Sequence, residues 1–115
     1  MKLVVAVIPP ERLEAVQDAV DDPAASIVAV SQVGDMRKPR LKAFYRGGEF
    51  EVPRPRLRLE IAVVNEALVA SVVNAILLAG VTSESGCQSC GDVLVMPLDE
   101  CVRIVQEYGR PSPQE

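Results

Sequence analysis

The chain has 115 residues, of which 49 % are apolar, and it carries a formal charge of −4 at pH 7. This size and apolar content predict one domain with a real hydrophobic core and leave no room for a second domain. Histidine, the commonest general base and metal ligand, is absent, which argues against an enzyme.

The first third of the chain predicts a strand, a helix and a second strand. Lys2–Ile8 is an almost continuous apolar run rich in β-branched residues, which is typical of a strand buried on both faces. Pro9 and Pro10 end this strand and open a helix, because proline is tolerated in a first helical turn. Ser26–Val33 alternates weakly and predicts the second strand, after which Gly34 begins a basic arm.

The arm concentrates positive charge. Between Arg37 and Arg58 lie eight of the twelve basic residues and two of the sixteen acidic ones, so this segment carries +6 and the rest of the chain −10. Three prolines and two glycines exclude a continuous helix or a central strand there. A long segment without secondary structure of its own is usually functional or disordered, so we expect a binding loop that a ligand or partner orders.

The second half predicts another strand, helix and strand. Arg56–Val64 alternates clearly and predicts the third strand. Asn65 is a good N-cap for a helix whose broad apolar stripe runs to Gly80, a natural C-cap. Residues 81–91 form a loop of small residues, and Val93–Met96 predicts a short fourth strand.

The order β-α-β, arm, β-α-β predicts an α+β fold, the ferredoxin-like (βαββαβ) sandwich, with both helices on one face of an antiparallel sheet. Two helices cannot cover both faces, so we expect another subunit to cover the second face. Cys101–Val105 is expected to form a turn or short strand, with Cys101 in the core. The domain is expected to span residues 1–109, followed by a flexible tail at 110–115.

Two features of the sequence bear on the compartment. No apolar run reaches the roughly 20 residues that a membrane-spanning helix needs. Met1–Ile8 lacks the basic start, apolar length and cleavage site of a signal peptide. We therefore expect a cytoplasmic protein, in which a disulfide framework would be unusual.

An anion site is predicted from residue chemistry alone. Glycine and serine amides in residues 85–91 can cradle phosphate oxygens as a backbone nest. Arg56 and Arg103 could add charge-assisted contacts of about 1.5–3 kcal/mol each. The alternative interpretation is a plain turn between helix and strand.

Cys87-Gln88-Ser89-Cys90 is a C-x-x-C motif within the same loop. It is compatible with a redox pair, because a disulfide would tighten the loop, and with a zinc or copper half-site. One cysteine pair without histidine leaves a tetrahedral metal site incomplete unless subunits share the metal. The third interpretation is a set of chemically inert small residues.

The basic arm is compatible with three kinds of partner. Nucleic acid is disfavoured by the low isoelectric point, about 4.9, and by the four aromatic residues of the chain. A small anion such as bicarbonate, or a carboxylate metabolite, could be held by Arg46 and the base of the arm. An acidic protein surface is the third alternative.

The residues now described resemble the PII signal transduction protein family. The resemblance covers residues 1–105 and is carried by Tyr45-Arg46-Gly47-Gly48-Glu49-Phe50, Leu59-Glu60-Ile61 and the Val-Arg-Ile near the end. It implies a homotrimer that binds ATP or ADP in clefts between subunits and engages transporters or enzymes through a long T-loop. It places the T-loop at 36–55 and the phosphate-wrapping B-loop at 81–91.

The resemblance also implies individual roles. Arg103 would contact phosphate, Arg56 replaces a lysine that contacts the triphosphate or an effector, and Glu60 would lie beside the adenine. The implied nucleotide-binding set is Ala29, Gly34, Arg56, Glu60, Ile61, Ala62, Val63, Gly86, Cys87, Gln88, Ser89, Cys90, Gly91 and Arg103. The implied anion-binding residues of the arm are Arg37, Lys38 and Arg46.

Four departures from the classical pattern of the family change which ligands we expect. Phe50 stands where classical members have the modified tyrosine, Asp92 replaces the B-loop lysine, and Val105 replaces a second arginine. The glutamine needed for 2-oxoglutarate is missing within Gly34–Pro39. These changes favour ADP or AMP over ATP and resemble the bicarbonate-linked, carboxysome-associated branch, whose members pair an adenine nucleotide with bicarbonate.

We therefore expect a non-enzymatic sensor that binds ADP or AMP, with a small anion such as bicarbonate as co-effector. It would control a transporter or enzyme through the T-loop and meet a membrane only through that target. The alternative is a CutA-like or C-x-x-C-dependent trimer that binds metal or responds to redox state. A weak nucleotide hydrolase is a third candidate, but it lacks an evident base.

Overall fold

The structure is a computed structural model that describes residues 1–37, 41–81 and 91–105. Its six strands are β1 Lys2–Ile8, β2 Ala25–Asp35, β3 Leu41–Tyr45, β4 Gly48–Val52, β5 Arg54–Val63 and β6 Asp92–Pro97. Its helices are α1 Leu13–Ala19 and α2 Val69–Ala79, each entered through one 3-10 turn, Pro10–Arg12 and Glu66–Leu68 respectively. None of the described helices combines the length and apolar character needed to cross a bilayer.

Four strands form one antiparallel sheet in the order β2-β5-β1-β6. The two βα units of the chain interleave in this order, because β5 lies between β1 and β2 although a helix connects those two strands directly. This is the ferredoxin-like arrangement. The predicted fold class is confirmed.

The hydrophobic core lies between the sheet and the two helices. Register pairs Val4 with Ile61 and Ala6 with Leu59, so all four side chains point to the helix face. Val16 of α1 and Ile76 of α2 pack against them, and all six side chains are fully buried. The start of α1 lies beside the end of α2, where Arg12 Nε donates to the carbonyl of Ala79 at 2.8 Å.

On the opposite face of the sheet, no helix is found among the described residues. Register places Leu3, Val5 and Leu94 on this face; Val5 is fully buried, whereas Leu94 is 50 % exposed in the single chain. Apolar side chains at the surface of a sheet favour cover by another protein surface. The geometry therefore fits the expected oligomer.

The arm contains a β-hairpin, and the prediction that it has no secondary structure of its own is wrong. β3 and β4 pair in antiparallel register, ending at Tyr45 opposite Gly48. The turn residues Arg46 and Gly47 have φ of 52° and 77°, the positive values that a type I′ hairpin turn requires. The glycine that excludes a helix is thus the residue that closes the hairpin.

Several boundaries differ from the sequence prediction. β2 continues through Gly34 to Asp35, because these residues still pair with the start of β5. Cys101–Val105 has no regular structure, and Cys101 is exposed rather than in the core. The sheet pairing of β6 ends at Pro97, so the residues beyond it leave the sheet.

The predicted helix caps are confirmed. Asn65 Oδ1 accepts a hydrogen bond from the backbone N–H of Ala67 at 3.0 Å, which satisfies one of the orphan donors of the first turn. At the other end, Gly80 N–H donates to the carbonyl of Ile76 at 2.8 Å. Both ends of the α2 segment are therefore set by local sequence.

Candidate functional site

An open groove of about 400 Å³ lies at the base of the arm, where β2 ends and β5 begins. Its lining residues are Pro10, Gln32, Val33, Gly34, Pro55, Arg56 and Leu57. Strand register assembles them: Val33 pairs with Arg56 and Gly34 with Pro55, while β1 ends beside Leu57. Two predicted site residues, Gly34 and Arg56, therefore share one groove, which adjoins the arm.

Arg56 is the buried charge of this groove. It is 8 % exposed, and Nη1 donates to the carbonyl of Pro55 at 3.0 Å. Within the described ranges, its Nε–H finds no hydrogen-bond acceptor, since the Asp35 carboxylate lies 4.0 Å away. A buried donor without a partner costs about 1–3 kcal/mol, and more on a charged group. An anion entering the groove would remove this penalty.

A second cationic side chain, Arg37, lies between two carboxylates. Its Nη1 and Nη2 contact the two oxygens of Asp92 at 3.1 and 2.6 Å, a bidentate pair. Its Nε donates to Asp35 Oδ1 at 3.2 Å, and its backbone N–H donates to the same oxygen at 3.0 Å. All three nitrogens of the Arg37 guanidinium are thus engaged by carboxylates, whereas Nε of Arg56 has no acceptor among the described residues.

The electrostatics keep Asp35 and Arg37 ionised at neutral pH. Burial opposes ionisation of Asp35, but the hydrogen bonds from the backbone and guanidinium of Arg37 outweigh it and hold the pKa of this carboxyl below its ordinary value. Hydrogen bonds to Asp35 and then to Asp92 raise the pKa of Arg37 above its ordinary value. The site is therefore a network of fixed charges.

The predicted adenine-side residues lie along β5 and on its neighbour β2. Glu60 is on the open face of the sheet, opposite Ala29, and its Oε2 lies 3.4 Å from Nη2 of Arg58. Ala62 is also on this side, whereas Ile61 and Val63 point into the core and are fully buried. A ligand could reach those two residues only through their backbone.

The remaining predicted residues are placed as follows. Gly91 precedes β6 with φ of 153°, and a Cβ built there would lie 1.7 Å from the carbonyl oxygen of Val7, so no side chain fits. Arg103 is exposed in the segment after β6. Arg46 is at the hairpin tip, far from the groove, with its guanidinium 5.2 Å from the ring centre of Tyr45. The predictions on Lys38, Gly86, Cys87, Gln88, Ser89 and Cys90 lie outside the described residues.

Sequence reasoning missed the partners of Arg37. It treated Asp92 only as the replacement of a lysine, and Asp35 only as part of the Gly34–Pro39 segment that lacks the glutamine. Asp35 could have been inferred, because aspartate two residues before an arginine often bonds its backbone. No sequence signal links Arg37 to Asp92, which lies 55 residues away.

The structure offers no support for a metal site. Among the residues it describes, no three His, Cys, Asp or Glu side chains come together as metal ligands. The C-x-x-C motif lies beyond these ranges. Its redox and metal interpretations stay predictions.

The family model and the relatives that match this chain all point to the same protein family. The family model for nitrogen regulatory protein P-II matches residues 1–108. The chain is 36 % identical to the nitrogen regulatory protein P-II of Rhizobium etli over 106 residues, covering 90 % of this chain and 91 % of the relative. It is 34 % identical over 106 residues to nitrogen regulatory protein P-II 2 of Methanothermobacter thermautotrophicus, covering 90 % and 89 % respectively.

Proposed function

This chain belongs to the nitrogen regulatory protein P-II family, and from that premise we propose that it senses ADP or AMP at clefts between identical subunits. P-II proteins are trimeric regulators that bind adenine nucleotides and act on target proteins rather than as enzymes. In this proposal a small anion such as bicarbonate is the co-effector, and the arm, residues 36–55, meets a transporter or enzyme. Residues 81–91 would wrap the nucleotide phosphates.

The observation that carries the proposal is the unpartnered Nε–H of Arg56. The guanidinium is buried, lines the groove at the base of the arm and contacts one carboxylate only at 4.0 Å. A planar anion such as bicarbonate could accept this N–H as a charge-assisted hydrogen bond. Because Asp35 joins Arg56 to Arg37, an anion here would also alter the charges that hold the arm.

The choice of nucleotide rests on the charge at the start of β6. Asp92 places a carboxylate where a phosphate-binding lysine is expected, and this carboxylate already holds Arg37. A third phosphate would bring further negative charge beside it, which is unfavourable by Coulomb repulsion. ADP or AMP is therefore the favoured nucleotide.

The arm hairpin has the surface of a docking element. Register places Leu41, Ala43, Tyr45, Gly48, Phe50 and Val52 on one face, and Lys42, Phe44, Glu49 and Glu51 on the other. The aromatic rings of the hairpin, Phe44, Tyr45 and Phe50, are all more than half exposed. Exposed aromatic side chains are typical anchors of protein interfaces.

Calorimetry with ADP, AMP and ATP, each with and without bicarbonate, tests the proposal. We expect binding of ADP or AMP, and an effect of bicarbonate that Arg56→Gln abolishes. Lys42→Gln is the matched control, because it removes one positive charge from the hairpin without touching the groove. The absence of heat with every nucleotide would refute the sensor function. A bicarbonate effect that survives in Arg56→Gln would refute the anion site.

A further inference from the structure

The pair formed by Arg37 and Asp92 joins two parts of the molecule that are distant in the chain. Arg37 follows the end of β2 and leads into the arm, whereas Asp92 is the first residue of β6. β2 and β6 are the two outer strands of the sheet, with β5 and β1 between them. The bidentate contact therefore crosses the end of the sheet. It attaches the beginning of the arm, next to β2, to β6 at the opposite edge.

The same contact decides which cation is available to a ligand. Each of the three nitrogens of the Arg37 guanidinium lies within 3.2 Å of a carboxylate oxygen. Arg56, by contrast, keeps a buried N–H without an acceptor in the described part of the chain. A single negative charge can be satisfied at Arg56 alone, whereas an anion with several charges would also require Arg37 and would have to displace Asp92.

We propose that Asp92 is a specificity-determining residue: its carboxylate occupies Arg37, discriminates against multiply charged anions in the groove at Arg56 and tethers the arm until such an anion displaces it. The ligand-selecting half of this inference rests on the proposed function, whereas the tether does not. Both partners are about half exposed, at 49 % and 44 % of the side-chain surface. The pair is therefore weak enough for a ligand to break it.

Pyrophosphate is the probe for the selectivity. Asp92→Asn keeps the shape of the side chain and removes its charge, so we expect pyrophosphate to bind about two- to fivefold more tightly than to the wild type, the range of an exposed ion pair. Asp99→Asn is the matched control, because it removes one negative charge from an exposed residue beyond β6. Equal affinities in wild type and Asp92→Asn, no binding to either protein, or the same gain in Asp99→Asn would overturn the selectivity.

The tether is tested in the ligand-free protein. Backbone ¹⁵N relaxation gives amide order parameters for β3 and β4. We expect lower values in Asp92→Asn than in wild type and Asp99→Asn, because only the first variant removes the charge and the bidentate contact that hold Arg37 to β6. Unchanged order parameters would overturn the tether. If no protein bound any nucleotide while the order parameters still fell, the proposed function would fail and the tether would stand.

Discussion

At the scale of single residues, Asp35 links the groove to stability. It accepts three hydrogen bonds from Arg37 and lies 4.0 Å from Nε of Arg56, with only 9 % of its side chain exposed. Removing one partner of a buried charged group leaves the other uncompensated. The residue therefore stabilises the arm base as well as shaping the site.

Asp35 is expected to make stability depend on acid pH. Its pKa in the folded protein is lowered from 3.8, so it contributes stability that is full above that value and is lost as the pH falls through the folded pKa. Asp35→Asn should reduce the free energy of unfolding at pH 7 by about 1–3 kcal/mol, and by less as the pH falls below 4. Urea unfolding between pH 3 and pH 7 measures this.

The control for this prediction is Asp18→Asn, which changes the same charge on the exposed side of α1. It should leave both the stability at pH 7 and the acid dependence nearly unchanged. A constant difference between wild type and Asp35→Asn across this pH range would contradict the prediction. All samples need equal protein concentration, because unfolding of an oligomer depends on it.

Contacts between residues close in the chain could be predicted from the sequence, whereas contacts between distant residues could not. The cap at Asn65 was predictable, because a side chain and an amide two residues away decide it. The pair of Arg37 and Asp92 was not, because its partners meet only after the sheet has formed. The sequence also did not indicate which basic residues of this segment are paired within the chain. In the structure, Lys42, Arg37 and Arg58 each have a carboxylate within 4.0 Å.

At the scale of elements, the stability of the arm hairpin depends strongly on its turn residues. A two-stranded hairpin is marginally stable alone, and among the strands of the described residues β3 and β4 pair only with each other. Gly47→Ala places a side chain at φ of 77° and should open the hairpin. Arg46→Asn should stabilise it, because Asn-Gly is the preferred type I′ sequence.

The two turn variants are therefore expected to act in opposite directions. Amide hydrogen exchange of residues 41–52 should become faster in Gly47→Ala and slower in Arg46→Asn. Exchange in β1 and β5 should stay as in wild type, which serves as the internal control. A change of the same sign in both variants would show that the turn geometry is not what holds the hairpin.

Element-scale predictions succeeded where periodicity was strong. The alternation of β5 and the apolar stripe of α2 identified both elements, with boundaries shifted by one to three residues. The hairpin was missed because the prolines at the ends of the arm were taken to exclude strands throughout it. Prolines that flank a hairpin do not interrupt its ladder, and the alternation of Gly48–Val52 was present in the sequence.

At the scale of the whole molecule, the second face of the sheet exposes apolar side chains such as Leu94 in the single chain. A homotrimer is consistent with the family and would give this face a partner. The sequence allowed the fold and the need for a partner to be predicted, since both follow from two helices and one amphipathic sheet. The groove could not be predicted from the sequence, because Pro10 and Arg56 come together only through strand register.

Leu94 tests this assembly together with the site. Leu94→Glu places a charge at a half-exposed position of the open face, which should be too costly to bury between subunits. Sedimentation of wild type should give three times the protomer mass of 12.4 kDa, and that of Leu94→Glu a smaller species. Leu78→Glu is the control, because Leu78 is 81 % exposed on α2, away from the open face.

Nucleotide binding should follow the assembly state in these variants. If the cleft lies between subunits, Leu94→Glu should lose adenine nucleotide affinity while its monomer stays folded, as judged by far-UV circular dichroism. Leu78→Glu should bind as wild type does. A folded Leu94→Glu monomer that binds ADP with wild-type affinity would place the site within one chain, and the groove at Arg56 would then be the place to look for the whole ligand.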